Sequence, residues 1–201
     1  MSFEITAPYK NHNYIAKAAD RFLTKYHPKK SYPIPVEEIA EFKLRLDIIP
    51  IPGLHKTFDV DGFLSSDCKS ISVDEGVYQS RPGRYRFTLA HEIGHLVLHK
   101  DMYNRYKFDN ITEWKEFIEK FPEKEYSWFE WQAYEFAGLV LVPPVHLNKR
   151  VSYHTKEIES LGIKNKDVIN DRVIEFLSED FVVSRDVIQR RLVREAKKII
   201  F

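Results

Sequence analysis

The sequence predicts an α+β fold: a short, mainly three-stranded sheet packed on helices, with a helical extension at the C-terminus. Three observations lead there. Alternation of apolar and polar residues, the mark of half-buried strands, is confined to residues 44–73. Helical spacing of apolar residues dominates on both sides of that stretch. Prolines and Gly/Ser/Asp clusters separate the periodic segments where turns are needed. A chain of 201 residues suits one domain with a small appendage and can bury a sizeable core without a disulfide.

The elements follow in order. Ile15, Ala18, Ala19, Phe22 and Leu23 recur at helical spacing, giving a helix over 14–26 that His27-Pro28 ends. Pro35 opens a second helix over 36–42. Leu44-Arg45-Leu46-Asp47-Ile48, Val60 to Leu64, and Lys69-Ser70-Ile71-Ser72-Val73 read as three strands. Pro82-Gly83 marks a loop before a long apolar helix, Arg84 to His99. Helices over 112–121 and 128–142 follow, the latter ended by Pro143-Pro144. Asp167 to Leu177 and Arg185 to Ile200 complete the helical tail. The expected organisation is a principal domain over 1–148 and a helical extension over 149–201 packed on it.

Composition removes several function classes. The chain carries 31 basic and 30 acidic side chains, a net charge of +1, which argues against a wholly basic polyanion-binding surface. That balance is uneven: 13 basic and 11 acidic residues precede position 91, 6 and 10 lie in 91–148, and 12 and 9 follow. A single cysteine, Cys68, excludes an internal disulfide and a thiolate metal cage and suits a reducing compartment. Met1 to Asn13 has no apolar signal-type segment, and no apolar run approaches the ~20 residues of a membrane span. A cytoplasmic location is expected.

The chemistry concentrates at His91-Glu92-Ile93-Gly94-His95. Residues four apart share one helix face about one turn apart, so two imidazoles can converge on one ion, zinc above all. Glu92 follows the first histidine, where its carboxylate can act as general base on a metal-activated water without ligating. Leu89, Ile93, Leu96 and Val97 give this helix an apolar back. Gly94 costs about 1 kcal/mol in a helix and makes sense where another element approaches closely. A third ligand must come from downstream, and Glu113, Glu125, Glu130 and Glu135 are the candidates. Glu130 shares its face with Ala133, Ala137 and Gly138, a surface nearly bare of side chains that permits close helix packing. Glu135 points roughly 140° away on a 3.6-residue helix. His99 extends the series by another turn and suits a partner of the ligands, or a helix-end histidine, rather than a ligand.

The run Arg86-Phe87-Thr88-Leu89-Ala90-His91-Glu92-Ile93-Gly94-His95-Leu96-Val97-Leu98-His99 resembles the core signature of the ImmA/IrrE family of metallo-endopeptidases. Residues 33–40 and Asp61-Gly62-Phe63-Leu64 resemble that family's lead-in helix and strand. The family's third motif falls on Glu130, Ala133, Phe136, Ala137 and Pro143, with Tyr134 where the family has Asn. The resemblance implies a small zincin-like metalloprotease fold, with zinc held by His91, His95 and Glu130. It also implies a bacterial or phage-borne role in regulation. The implied substrate is a regulatory protein, a DNA-binding repressor encoded nearby. The competing reading is a non-proteolytic module that keeps the metal site and acts by binding a repressor or DNA.

Other features complete the expectation. An oxyanion-stabilising donor is needed, and Tyr103, Tyr106, His99 and His146 are available. An extended substrate can pair with an exposed strand edge, with residues 69–73 the candidate unless that strand is paired on both sides. Residues 100–126 either wall the cleft or form a surface excursion. Within them, Trp114, Phe117 and Phe121 at helical spacing suit a core. The tail superficially resembles a helix-turn-helix, with Ser184 as N-cap before Arg185, Arg190, Arg191, Arg194, Lys197 and Lys198. A packed helical pair with a solvated basic face is the favoured reading, so direct nucleic-acid binding is not expected.

Overall fold

The computed structural model describes residues 6–29, 31–108 and 110–196. Helix α1 spans His12–Tyr26, with the Asn11 side chain accepting the Tyr14 N–H as N-cap. A single turn, α2 (Val36–Glu38), runs directly into a π-helical turn over Ile39–Lys43. Three strands follow: β1 (Asp47–Ile51), β2 (Gly62–Leu64) and β3 (Ser70–Asp74). A short α3 (Leu54–Phe58) lies between the first two. Then come α4 (Glu75–Ser80), the long α5 (Pro82–Arg105), α6 (Ile111–Glu119) and α7 (Glu123–Leu141). The chain closes with α8 (Pro144–Ser160), α9 (Lys166–Phe181) and α10 (Arg185–Ala196). The α+β class and the three-stranded count are as expected.

The sheet order is β1-β3-β2, with β3 parallel to β1 and antiparallel to β2. Residues 69–73 are therefore in the centre of the sheet, paired on both sides, and the outer strands are β1 and β2. The first strand starts later than the alternation suggested. Arg45 takes a left-handed backbone, φ 58°, and Leu46 N–H bonds back to the Ala40 carbonyl, so Leu44–Leu46 form a turn.

Helices α5 and α7 pack along their lengths, and α1 lies against α7. The close approach expected at Gly94 is present. A methyl placed there would sit 3.0 Å from the Ala133 carbonyl oxygen and 3.1 Å from its Cα. Gly138, expected on the same contact, serves another one: its missing side chain makes room for the Arg191 stem of α10.

Pro143-Pro144 ends α7 and also starts α8, a helix the periodicity did not reveal. Pro144 occupies the first turn, where a missing N–H is harmless. This helix runs unbroken through the 148/149 boundary expected between domain and extension. It packs on α9, and Arg150 holds Asp180 with two hydrogen bonds of 2.7 and 2.9 Å. The basic face of α10 is partly turned inward: Arg191 is buried, donates to the Val142 carbonyl and pairs with Glu195. Arg194 lies over the Trp131 ring. The expected continuation of this helix to Ile200, with Lys197 and Lys198, lies outside the described residues. No helix among the described residues is long and apolar enough to cross a membrane.

Candidate metal centre and cleft

Helix α5 carries His91 and His95 one turn apart, and α7 brings Glu130 across to them. His91 Nε2 lies 3.1 Å from His95 Nε2 and 3.2 Å from Glu130 Oε2. His95 Nε2 lies 3.4 Å from Glu130 Oε1. Four ligands held at ~2.0–2.1 Å around a tetrahedral zinc ion are about 3.3 Å apart, so this donor set has the dimensions of a metal site. Among the described residues it is the one cluster of His, Cys, Asp and Glu with that compactness. Two imidazoles and one carboxylate suit a catalytic rather than a structural ion, because a fourth position stays open.

The other three acidic candidates are engaged elsewhere. Glu113 receives the Asn110 side chain, and its own N–H is capped by Asn110. Glu125 accepts the Ala7 N–H at 2.8 Å. Glu135 faces away from the histidines, as the helical angle required, and takes His12 at 2.9 Å and Arg194 at 3.5 Å. Gly94 and Ala133 account for Glu130's reach: with no side chain at one position and only a methyl at the other, the two helix backbones approach closely enough for the carboxylate to meet the histidines.

The electrostatics favour a positive charge among these donors. Burial works against ionisation of Glu130, but the charges of His91 and His95 outweigh it and hold the carboxyl well below the usual range. Burial likewise disfavours the charged form of His91, and the Glu130 carboxylate raises its pKa all the same. Glu92 is 5% exposed and makes no ion pair of its own among the described residues. Desolvation raises its pKa, countered in part by His91 and His95 and by the backbone amide of Leu64. A carboxylate with a raised proton affinity beside a metal site fits a general base.

His99 is not part of the cluster. It is 1% exposed and sits behind His95, with the two Nδ1 atoms 3.0 Å apart. Burial, then the charges of His95 and Lys10, push its pKa well down, so it is neutral and can accept a hydrogen bond. Phe129 packs on both imidazoles at 4.3 Å between ring centres.

A cleft of about 390 Å³ opens over these groups. Its lining is polar in part, with Asp61 bridging Arg84 and His55, and aromatic in part, with Tyr103, Trp114, Tyr126 and Phe129 among the wall residues. Residues from the 100–126 stretch therefore do wall the cleft. Trp114 serves both roles, packing at a tilt against Phe63 with 5.7 Å between ring centres in the core and lining the cleft. Sequence reasoning missed Tyr126 as a cleft residue, although it precedes Glu130 by four on α7. Tyr134, four residues after Glu130, lies against His91 at 4.6 Å between ring centres. The phenol that replaces the family's Asn thus flanks the cluster on its outer side.

The family model for the peptidase M78 family, described as the IrrE N-terminal-like domain, matches residues 77–193. The chain belongs to this family. The match covers α5 to α9 and most of α10, so both helices that carry His91, His95 and Glu130 lie inside it. It bears out the resemblance read from the motifs and makes the chain a peptidase-family protein whose His91, His95 and Glu130 could hold a metal ion. No curated protein matches the sequence. Among solved structures, a Mycobacterium tuberculosis transcriptional regulator is similar with a TM-score of 0.56 at 17% identity. The likeness covers 90% of this chain and 48% of the regulator, so the chain spans about half that protein's length. At that identity it establishes a shared fold.

Proposed function

We propose that this M78 protein is a zinc-dependent endopeptidase that cleaves a regulatory protein, a DNA-binding repressor by class. The observation that carries the reading is the convergence of His91, His95 and Glu130 at 3.1–3.4 Å with the buried Glu92 carboxyl beside them. His91, His95 and Glu130 would hold the ion. Bound zinc supplies Lewis acidity to a carbonyl oxygen and acidity to a water molecule. Glu92 takes the proton from the attacking water and later delivers it to the leaving amine, which its raised proton affinity suits. His99 acts as a positioning residue: neutral and fixed, it accepts the His95 Nδ1–H and so leaves Nε2 free to ligate.

An extended substrate would run along β2. This strand is at the sheet edge, and the Leu64 amide on it faces Glu92, so the free edge adjoins the catalytic groups. Residues after 148 are proposed to serve as a helical flank that braces α7 through α10. The cytoplasmic setting is part of the proposal and rests on the lone cysteine, which suits a reducing compartment.

The test is Glu92→Gln. The variant should bind zinc with wild-type stoichiometry, since Glu92 is not among the converging donors, and should lose cleavage of the repressor encoded beside it by at least 100-fold. Full biological activity in that variant would instead favour a module that works by binding.

A further inference from the structure

We propose that Tyr103 is the catalytic hydrogen-bond donor to the carbonyl oxygen of the bond under attack, an assignment that rests on the peptidase reading above. Four donors were open on sequence grounds, and three are placed elsewhere. Tyr106 packs on Phe117 at 5.2 Å, and His146 on Tyr32 at 5.1 Å, neither of them lining the cleft. His99 is sealed behind His95. Tyr103 alone of the four lines the cleft.

Its environment is that of a donor held ready. The ring is 2% exposed, stacked on Phe129 at 6.4 Å and edge-on to Phe108 at 5.9 Å. Buried phenols ordinarily find a hydrogen-bond partner. The Tyr103 hydroxyl has none among the described residues, yet it is not one of the polar atoms sealed away without a partner. A phenol whose ring is fixed and whose oxygen is neither bonded nor sealed opens on the cleft it lines. His95 is next to it, 6.2 Å between ring centres, which puts the hydroxyl in the neighbourhood of the reacting atoms.

Two other phenols share the cleft, and exposure separates them from Tyr103. Tyr134 is 47% exposed and Tyr126 is half-buried, so water can satisfy both hydroxyls. A preorganised donor in a water-poor wall stabilises developing negative charge more than a solvated one, because it need not be desolvated or reoriented during the reaction. Tyr103 keeps its proton throughout. It donates a hydrogen bond as the oxygen becomes negative, and the proton that Glu92 removes from water is the one that reaches the amine.

The experiment compares zinc-loaded wild type with Tyr103→Phe, Tyr126→Phe and Tyr134→Phe on a pool of internally quenched fluorescent peptides. Removing one such donor lowers kcat by about 100-fold or more. Tyr103→Phe should show that loss with KM within about twofold, while the other two variants stay within about fivefold. Melting temperature and zinc stoichiometry should be unchanged in Tyr103→Phe, because the lost hydroxyl bonds nothing in the protein. Wild-type kcat in Tyr103→Phe, or the loss appearing in Tyr126→Phe or Tyr134→Phe, overturns the assignment alone. A melting temperature lowered by several degrees in Tyr103→Phe overturns it in favour of a structural hydroxyl. No cleavage of any peptide by wild type overturns the peptidase reading and the assignment with it.

Discussion

Gly94→Ala separates two opposing effects whose balance follows from the structure. Alanine is the better helix former by about 1 kcal/mol, so an isolated helix would be stabilised. In this protein the new methyl would meet the Ala133 carbonyl oxygen at 3.0 Å, the Ala133 Cα at 3.1 Å and Phe136 Cδ1 at 3.3 Å. Two of those neighbours are backbone atoms of α7, a helix held on its other side by α1, and cannot swing aside as a side chain would. Overpacking of this kind costs about 1–3 kcal/mol. The net expectation is a destabilisation of about 0–2 kcal/mol, or a melting temperature lower by up to about 8 °C in a chain of this size. The displacement also lifts Glu130 from His91 and His95, since it lies one turn before Ala133 on the same helix. Zinc affinity should therefore fall by tenfold or more, even at temperatures where the variant is fully folded. Gly94→Val should be worse on both counts. Calorimetry on the apo protein and zinc titration of the same samples read the two effects separately. An alanine variant stabilised by the full helix-propensity gain, with unchanged zinc affinity, would refute the claim that glycine sets the helix separation and with it the reach of Glu130.

Two further substitutions probe other parts of the fold. A methyl on Gly62 would meet the Ser72 carbonyl oxygen and Thr88 Cγ2, each at 2.7 Å, so Gly62→Ala should push β2 off α5. The expected cost is about 1–3 kcal/mol, and KM should rise several-fold for long peptides while dipeptide-sized substrates are little affected; equal effects on both would argue against docking along β2. Burial favours the protonated form of Asp180, yet its bonds from Arg150 and His154 hold its pKa below the ordinary 3.8. Its contribution is therefore complete above that value and lost as pH falls through the lower folded pKa. Asp180→Asn should cost about 1–3 kcal/mol at pH 7, and the difference from wild type should shrink below about pH 3.8, as chemical denaturation at both pH values will show.

The readable parts of this protein were those where periodicity and chemistry coincide. The α5 histidine face follows from a four-residue spacing that only a helix makes meaningful, and Glu130 stood out because the side chains around it on α7 are small. The α6 aromatics were legible as packing but not as cleft wall, because Trp114 belongs to both. Where the sequence misled, a local conformation overrode the pattern. Leu44-Arg45-Leu46 alternates like a strand, but the left-handed backbone at Arg45 makes it a turn. Pro143-Pro144 reads as a terminator and also serves as an initiator, which concealed α8 altogether. Strand order is not written in alternation at all, so the central position of β3 and the edge position of β2 needed the three-dimensional pairing. Tyr126 carried a signal that was available, four residues before Glu130, but it gained meaning only once Glu130 was seen beside the histidines.

The central claim is that residues from two helices form one metal site, and zinc titration into the metal-free protein tests it most directly. One tight equivalent is expected for wild type and for Glu135→Ala, with the affinity reduced by at least 100-fold in His91→Ala, His95→Ala and Glu130→Ala alike. Tight binding that survives Glu130→Ala, or that is lost in Glu135→Ala while Glu130→Ala keeps it, would show that the two helices do not share one metal site.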